Sequence, residues 1–239
     1  MINVERKNER SPRKVVVPGE VLDGAGLKAG ENTYLLNGEI RSGILGVTNV
    51  RQNTVSVIPL GGRYMPATGD TVIGVVEDTG GSNWMIDIEA PYPAPLHVSE
   101  VPWKVAFGDT SKYLNIGDAV ILKVLMVDES NKISVTMKES GLRKLEGGRI
   151  IKISHTKVSR VIGKSGSMIQ MIKNLTDCRI IMGQNGVIWI DGENENMDAA
   201  TKAIEMINAE AQASNLTERV KKFLEKEIPG KEEDEERDE

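Results

Sequence analysis

Val161-Ile162-Gly163-Lys164-Ser165-Gly166-Ser167-Met168-Ile169 sets two glycines around a lysine and a serine, with apolar residues on both sides. The flanks Thr156–Ile162 and Ser167–Leu175 both repeat apolar residues at helical spacing. The nonapeptide therefore reads as a Gly-X-X-Gly turn between two short helices. Such a turn lets a sugar-phosphate chain come close to the protein main chain, because no Cβ stands in the way at either glycine. Gly163-Lys164-Ser165 also looks like the end of a nucleoside-triphosphate loop. That motif needs a glycine five residues before Gly163, and the position holds Val158. The stretch therefore does not read as a triphosphate loop.

Outward from the turn, Gly148–Ile153 carries a strand (R-I-I-K-I). Arg179–Met182 and Val187–Ile190 form a hairpin across Gln184-Asn185-Gly186, and Asn196–Ala213 is a long helix with Ala199, Ala203, Ile204 and Ile207 on one face. The order β-α-α-β-β-α over 142–213 resembles the KH domain of the eukaryote type (type I). That resemblance implies a groove for about four nucleotides of single-stranded RNA. Gly163 and Gly166 would admit the backbone, Lys164 would supply charge and Ser165 a hydroxyl. Arg160 and Lys173 would meet neighbouring phosphates, and Arg179 would reach bases from the sheet edge. Ile162 and Ile169 read either as an apolar floor for bases or as helix-packing core.

Residues 61–141 form a β unit. Gly69-Asp70 opens Thr71–Val76, Trp84–Ile88 and Leu96–Val98 follow, Gly117-Asp118 opens Ala119–Val127, and Ile133–Lys138 comes after a turn at Asn131. Five strands around an irregular stretch near Phe107–Leu114 fit a five-stranded OB-type barrel. G-D-T-V-I-G-V-V, W-M-I-D-I, L-H-V-S-E and V-D-E-S-N-K-I-S-V-T-M-K resemble the strands of a ribosomal S1-type RNA-binding domain. By that resemblance Trp84, His97, Asp128 and Lys132 would contact RNA, Trp84 having core packing as its alternative. Gly81 stands where the family often carries a further aromatic.

Residues 15–60 read as a small β domain of short strands: V-V-V-P-G-E-V-L, Tyr34–Ile40, Gly43–Val50 and T-V-S-V-I-P-L. It has no acid pair, cysteine or histidine, so docking or simple structural extension of the next domain is expected of it. Residues 1–14 are expected to be a flexible N-terminus. The charged tail, 214–239, begins with an amphipathic stretch, Leu216–Ile228, and closes on an acidic run expected to be disordered.

The net charge of −5 conceals an asymmetry. From Arg143 to Arg179 nine Lys/Arg face two acids, +7, whereas Gly61–Ser140 carries six bases against eleven acids, −5. Local charge governs attraction of phosphate, so the C-terminal unit is the stronger candidate for RNA. Cys178 is the only cysteine, which excludes an intrachain disulfide. A charged N-terminus and the absence of any apolar run of about 18 residues point to a cytoplasmic protein.

No catalytic, metal or cofactor constellation is evident: the two histidines fall in different modules, and Asp87 with Glu89 reads as a charged barrel exterior. The combination of a small β domain, an S1-type barrel and a KH domain resembles the RNA-binding cap subunit of the archaeal exosome. V-V-V-P-G-E, G-G-R-Y-M-P-A-T-G-D (Gly61–Asp70) and V-I-G-K-S-G-S-M-I carry that resemblance. It implies a non-catalytic homotrimeric cap on a hexameric ring of RNase PH-like subunits, which captures RNA with some preference for adenine-rich tails. The cap would feed 3′ ends to the ring's phosphorolytic sites for degradation and processing. A free-standing single-stranded RNA-binding factor or chaperone is the alternative.

Overall fold

The computed structural model describes residues 13–22, 26–128, 130–210 and 215–228. The chain divides into two compact units, 1–62 and 63–239.

In the first unit, β1 (Val15–Val16), β5 (Gly46–Arg51), β6 (Thr54–Pro59) and β2 (Lys28–Ala29) form a sheet in the order β1-β5-β6-β2. β3 (Thr33–Leu36) and β4 (Glu39–Ser42) form a separate hairpin. The stretch Tyr34–Ile40 is thus two strands rather than the single one expected. Asn37 and Gly38 both have positive φ (53° and 81°), the requirement of a two-residue hairpin turn, and Asn-Gly is the pair that meets it best. Val16, Leu22, Ile40, Val55 and Val57 make a small core. Lys14 already belongs to this unit, its main chain exchanging hydrogen bonds with Thr48 at 2.9 Å. The rest of the expected flexible N-terminus, 1–12, lies outside the described residues.

The second unit contains two modules. β7 (Thr71–Thr79), β8 (Asn83–Asp87), β9 (Ala94–His97), β10 (Ala119–Val127) and β11 (Ile133–Thr136) pair in the order β11-β10-β7-β8-β9. Beyond the end strands Met137 N–H donates to Glu100 O (2.8 Å), which brings the two ends of the antiparallel sheet together into a nearly closed five-stranded barrel. Val72, Val76, Trp84, Ile86, Leu96, Val120 and Leu122 fill it. β12 (Lys144–Leu145) pairs with the start of β10 and leads into the KH module.

There β13 (Arg149–Lys152), β15 (Val187–Asp191) and β14 (Arg179–Met182) form a sheet in the order β13-β15-β14, with α1 (Val158–Ile162), α2 (Ser167–Thr176) and α3 (Asn194–Ala209). Ile180, Ile188 and Ile190 pack with the buried residues of these helices in one core. Helix α4 (Leu216–Glu227) joins that core: Leu216, Val220 and Leu224 are each 2% exposed or less. The amphipathic start of the charged tail is therefore a working part of the KH module, which extends beyond Ala213. The acidic run after Ile228 lies outside the described residues.

The opposite face of the KH sheet is covered by the barrel. Val187 and Trp189 cluster with Ile73 and Ile121, which point out of the barrel and yet are 0% and 4% exposed. This explains why β7 and β10 read as near-continuous apolar runs rather than strict alternation: each is buried on both faces.

Candidate nucleic-acid interface

Gly163 ends α1 with φ 77°, ψ 179°, Ser165 takes the left-handed conformation (φ 52°, ψ 28°), and Gly166 (φ 83°) starts α2. The two glycines have different reasons. A Cβ on Gly163 would lie 2.7 Å from Met168 Cβ and 2.8 Å from Met168 N, so this glycine allows α1 and α2 to meet. A Cβ on Gly166 would touch nothing within 4 Å. Its requirement is the positive φ, and the open space beside it is where a ligand backbone has room.

Lys164 and Ser165 are exposed at the tip, and Ile162, 38% exposed, stands just before it. Ile169 is half-buried against the KH core and shares a face of α2 with Lys173, four residues on. No side chain caps α2 and no acid stands in its first turn, leaving the positive end of its dipole uncompensated beside Lys164. Arg160 is exposed on α1. Arg160, Ile162, Gly163, Lys164, Ser165, Gly166, Ile169 and Lys173 therefore lie on one continuous helix–loop–helix segment.

Arg179 does not join them. It shares the barrel-side face of the sheet with Trp189, whose ring centroid is 6.0 Å from its guanidinium, and it is ion-paired with Asp191 across the hairpin. The local charge of +7 is also reduced by the fold. Lys144 pairs with Asp118 (2.6 Å), Arg149 with Asp198 (2.5 Å), Lys152 with Glu89 and Arg179 with Asp191. At least four of the nine cations thus have carboxylate partners among the described residues. Lys164 and Lys173 have no ion-pair partner among the described residues.

In the barrel, Trp84 is fully buried and its indole N–H donates to Leu114 O (3.2 Å). It is a core residue and presents no stacking face, which corrects its assignment to RNA. His97 is exposed. Its Nδ1 accepts from Ser99 N–H (3.1 Å), a contact that favours the tautomer with the proton on Nε2. Asp128 Oδ1 accepts from the main-chain N–H of Ser130 and of Lys132, both at 2.8 Å, and shapes the hairpin turn that leaves Lys132 exposed. Over Gly81, where an aromatic was expected to be missing, lies the ring of Phe107. A Cβ on Gly81 would come within 3.0 Å of Phe107 Cζ.

The two modules are bound by the Gly183–Gly186 turn. Asn185, 3% exposed, donates from Nδ2 to Ile73 O (2.8 Å) and Ile88 O (2.9 Å) and accepts at Oδ1 from Ile73 N–H (3.4 Å). Gln184 N–H donates to Thr71 O (2.9 Å), and its side-chain oxygen accepts from Thr71 N–H (2.6 Å). β8 ends at Asp87, and the turn serves the β7 main chain beyond that point. A Cβ on Gly183 would fall 2.7 Å from Ile73 N, so glycine is what permits the approach. Lys152–Glu89 and an edge contact between His155 and Tyr64 (6.0 Å) extend the junction. Burial lowers the His155 pKa, while burial and then the hydrogen bond to Asp70 raise that of Tyr64. Sequence reasoning recognises Gln184-Asn185-Gly186 only as a turn.

Three family profiles match in succession: the exosome RNA-binding protein RRP4 N-terminal domain over residues 13–61, the RRP4 S1 domain over 63–106, and the KH domain over 148–206. The protein from Methanosarcina acetivorans called exosome complex component Rrp4 is 46% identical over 215 residues, 90% of this chain and 83% of that one. Its namesake from Picrophilus torridus is 45% identical over 214 residues, 90% and 93%. A solved structure described as an exosome complex RNA-binding protein aligns with a TM-score of 0.64 at 37% identity, over 69% of this chain and 96% of the other.

Proposed function

Because this chain belongs to the family of the exosome complex component Rrp4, we propose that it is a non-catalytic RNA-binding subunit of an archaeal-type exosome. It captures single-stranded RNA, adenine-rich tails among it, and passes 3′ ends to a ring of RNase PH-like subunits that degrade and process RNA by phosphorolysis. It works in the cytoplasm as one of three copies capping that ring. The observation that carries this reading is the Gly163–Gly166 loop, where the open side of Gly166, the exposed Lys164 and the uncapped start of α2 converge on one spot. That combination suits a phosphate. Ile162 beside it is an exposed apolar surface on which a base can rest. The non-catalytic reading is supported by the placement of the histidines: His97 is engaged with Ser99, and His155 is half-buried against Tyr64. Docking falls to the first unit, whose hairpin exposes Tyr34, Leu35 and Leu36 at 41%, 65% and 46%.

The test is a fluorescence-anisotropy titration of labelled oligoadenylate with the full chain and with Lys164→Asp. The variant binds about tenfold more weakly near 0.1 M salt, and its salt slope is lower by about 0.7 for each phosphate that is no longer neutralised. Equal affinity and slope would overturn the loop assignment. Size-exclusion chromatography with RNase PH-like ring subunits tests the assembly. Separate elution would favour a free-standing RNA-binding factor.

A further inference from the structure

Phe107 is 88% exposed, the most exposed large apolar side chain among the described residues. A phenylalanine on a long loop would ordinarily turn inward; this one is held outward. Gly108 N–H donates to Gly81 O (2.9 Å), Thr110 Oγ1 donates to Gly80 O (2.6 Å), and Asp109 N–H donates to Ala106 O (3.0 Å). Trp103 and Tyr113 stack at 5.6 Å and brace the two ends of the loop. The ring itself rests on Gly81: the nearest atoms to a Cβ built there are Phe107 Cζ, Cε2 and Cε1 at 3.0, 3.1 and 3.6 Å.

Gly81 thus provides a flat seat for one side of the ring, and the high exposure leaves the other side to solvent. Val98 N–H donates to Ser82 O (3.0 Å), and Asn83 pairs with His97 in the ladder. Seat, Asn83 and the exposed His97 are therefore neighbours on adjoining chain. The surrounding module carries −5, so attraction of phosphate is weak here, and the apolar ring is what the site offers.

We propose that Phe107, seated on Gly81, is a stacking platform for an unpaired RNA base, with His97 Nε2–H as a neighbouring hydrogen-bond donor. The proposal rests on the RNA-binding reading above and adds to it a contact made to the base rather than to phosphate. An exposed ring held at an ordered seat suits any base, since every base has a π face, and it confers affinity without reading sequence.

The experiment uses the full chain, Phe107→Ala, Phe107→Trp and Gly81→Val, titrated with labelled oligoadenylate and with an abasic oligonucleotide of equal length. Phe107→Ala is expected to weaken binding of oligoadenylate about tenfold while leaving its salt slope and its abasic affinity unchanged. Phe107→Trp retains affinity and shows indole emission quenched by oligoadenylate. Gly81→Val, which displaces the ring from its seat, falls between parent and Phe107→Ala. Unchanged affinity in Phe107→Ala, or an equal loss on the abasic strand, would overturn the proposal while leaving RNA binding intact. If the parent chain binds neither strand, the RNA-binding reading itself fails. Loss of ring-subunit binding in Phe107→Ala with RNA affinity intact would assign the residue to protein docking and also refute the platform. Thermal melts confirm folding, which a side chain this exposed does not support.

Discussion

Replacing Asn185 by alanine removes the central fastening between barrel and KH module. The side chain makes two hydrogen bonds to carbonyls and accepts one longer bond, all at a site 3% exposed. An ordinary intramolecular hydrogen bond contributes about 1 kcal/mol net, and a buried group left without its partner costs about 1–3 kcal/mol. Ile73 O and Ile88 O would both be left in this condition, with partial relief from any water that enters the space left by the amide. The loss is therefore about 3 kcal/mol. For a unit of this size each kcal/mol moves the Tm by about 2–4 °C, so the melting temperature should fall by about 6–12 °C. Gln184→Ala, at an exposed position with one side-chain bond to Thr71 N–H, is the internal control and should lose about 1 kcal/mol. Asn185→Asp is the sharper variant: it is isosteric, but it sets an oxygen against two carbonyl oxygens and should be at least as damaging as alanine at neutral pH. Scanning calorimetry of the full chain measures all three. If Asn185→Ala melts within about 2 °C of the parent, or Asn185→Asp is the milder of the two, the fastening is not at Asn185.

The loop glycines should separate in stability. Gly163→Ala meets Met168 as well as adverse backbone angles and should cost about 3 kcal/mol or more, whereas Gly166→Ala pays only for its left-handed backbone, about 1 kcal/mol; denaturant titration reads both. Burial holds the His155 pKa below its unfolded value near 6.5. The unfolded chain then takes up the proton first, so this stabilisation is complete above that pH and declines as pH falls through it toward the folded pKa. The urea midpoint should drop less between pH 7.5 and 5.5 in His155→Gln than in the parent, and identical drops would remove His155 from the acid response.

Most of the KH and barrel strands are legible in the sequence because period and turn chemistry agree there. Gly69-Asp70 and Gly117-Asp118 precede β7 and β10, and the Gly-X-X-Gly turn falls between α1 and α2. What escapes a sequence reading is tertiary. The role of Asn185 depends on main-chain groups 97 to 112 residues away, which no local pattern encodes. Trp84 resembles a surface aromatic by its place in the S1 pattern, and its inward placement is settled by β8 alternation together with the Leu114 carbonyl. The pairing of Arg179 with Asp191 needs the hairpin register, which one residue of slip would reverse. Phe107 lies in a stretch without periodicity, and its significance appears only when Gly81 is found beneath it. Asn37-Gly38 is different: two adjacent residues suffice to signal its hairpin, so a strand drawn straight through Tyr34–Ile40 neglects local turn chemistry rather than tertiary context.

The junction also constrains how RNA can be held. Val187 and Trp189 on the barrel-side face of the KH sheet are buried against Ile73 and Ile121, and the backbone site proposed for that module is its helix–loop–helix segment. At least four of the nine nearby cations are engaged with carboxylates among the described residues, so phosphate attraction alone is modest. On the proposed reading each grip is weak by itself: a charged loop at Lys164 and an apolar ring at Phe107. A junction as ordered as that of Asn185 fixes the two modules relative to each other, so a strand long enough to reach both engages the second without a further loss of rotational freedom. Binding then strengthens by effective concentration rather than by any single strong contact. Loosening the junction should weaken long RNA more than short RNA. Oligoadenylates of graded length titrated against Asn185→Ala should show its deficit growing with length, and a deficit independent of length would mean the two modules bind separately.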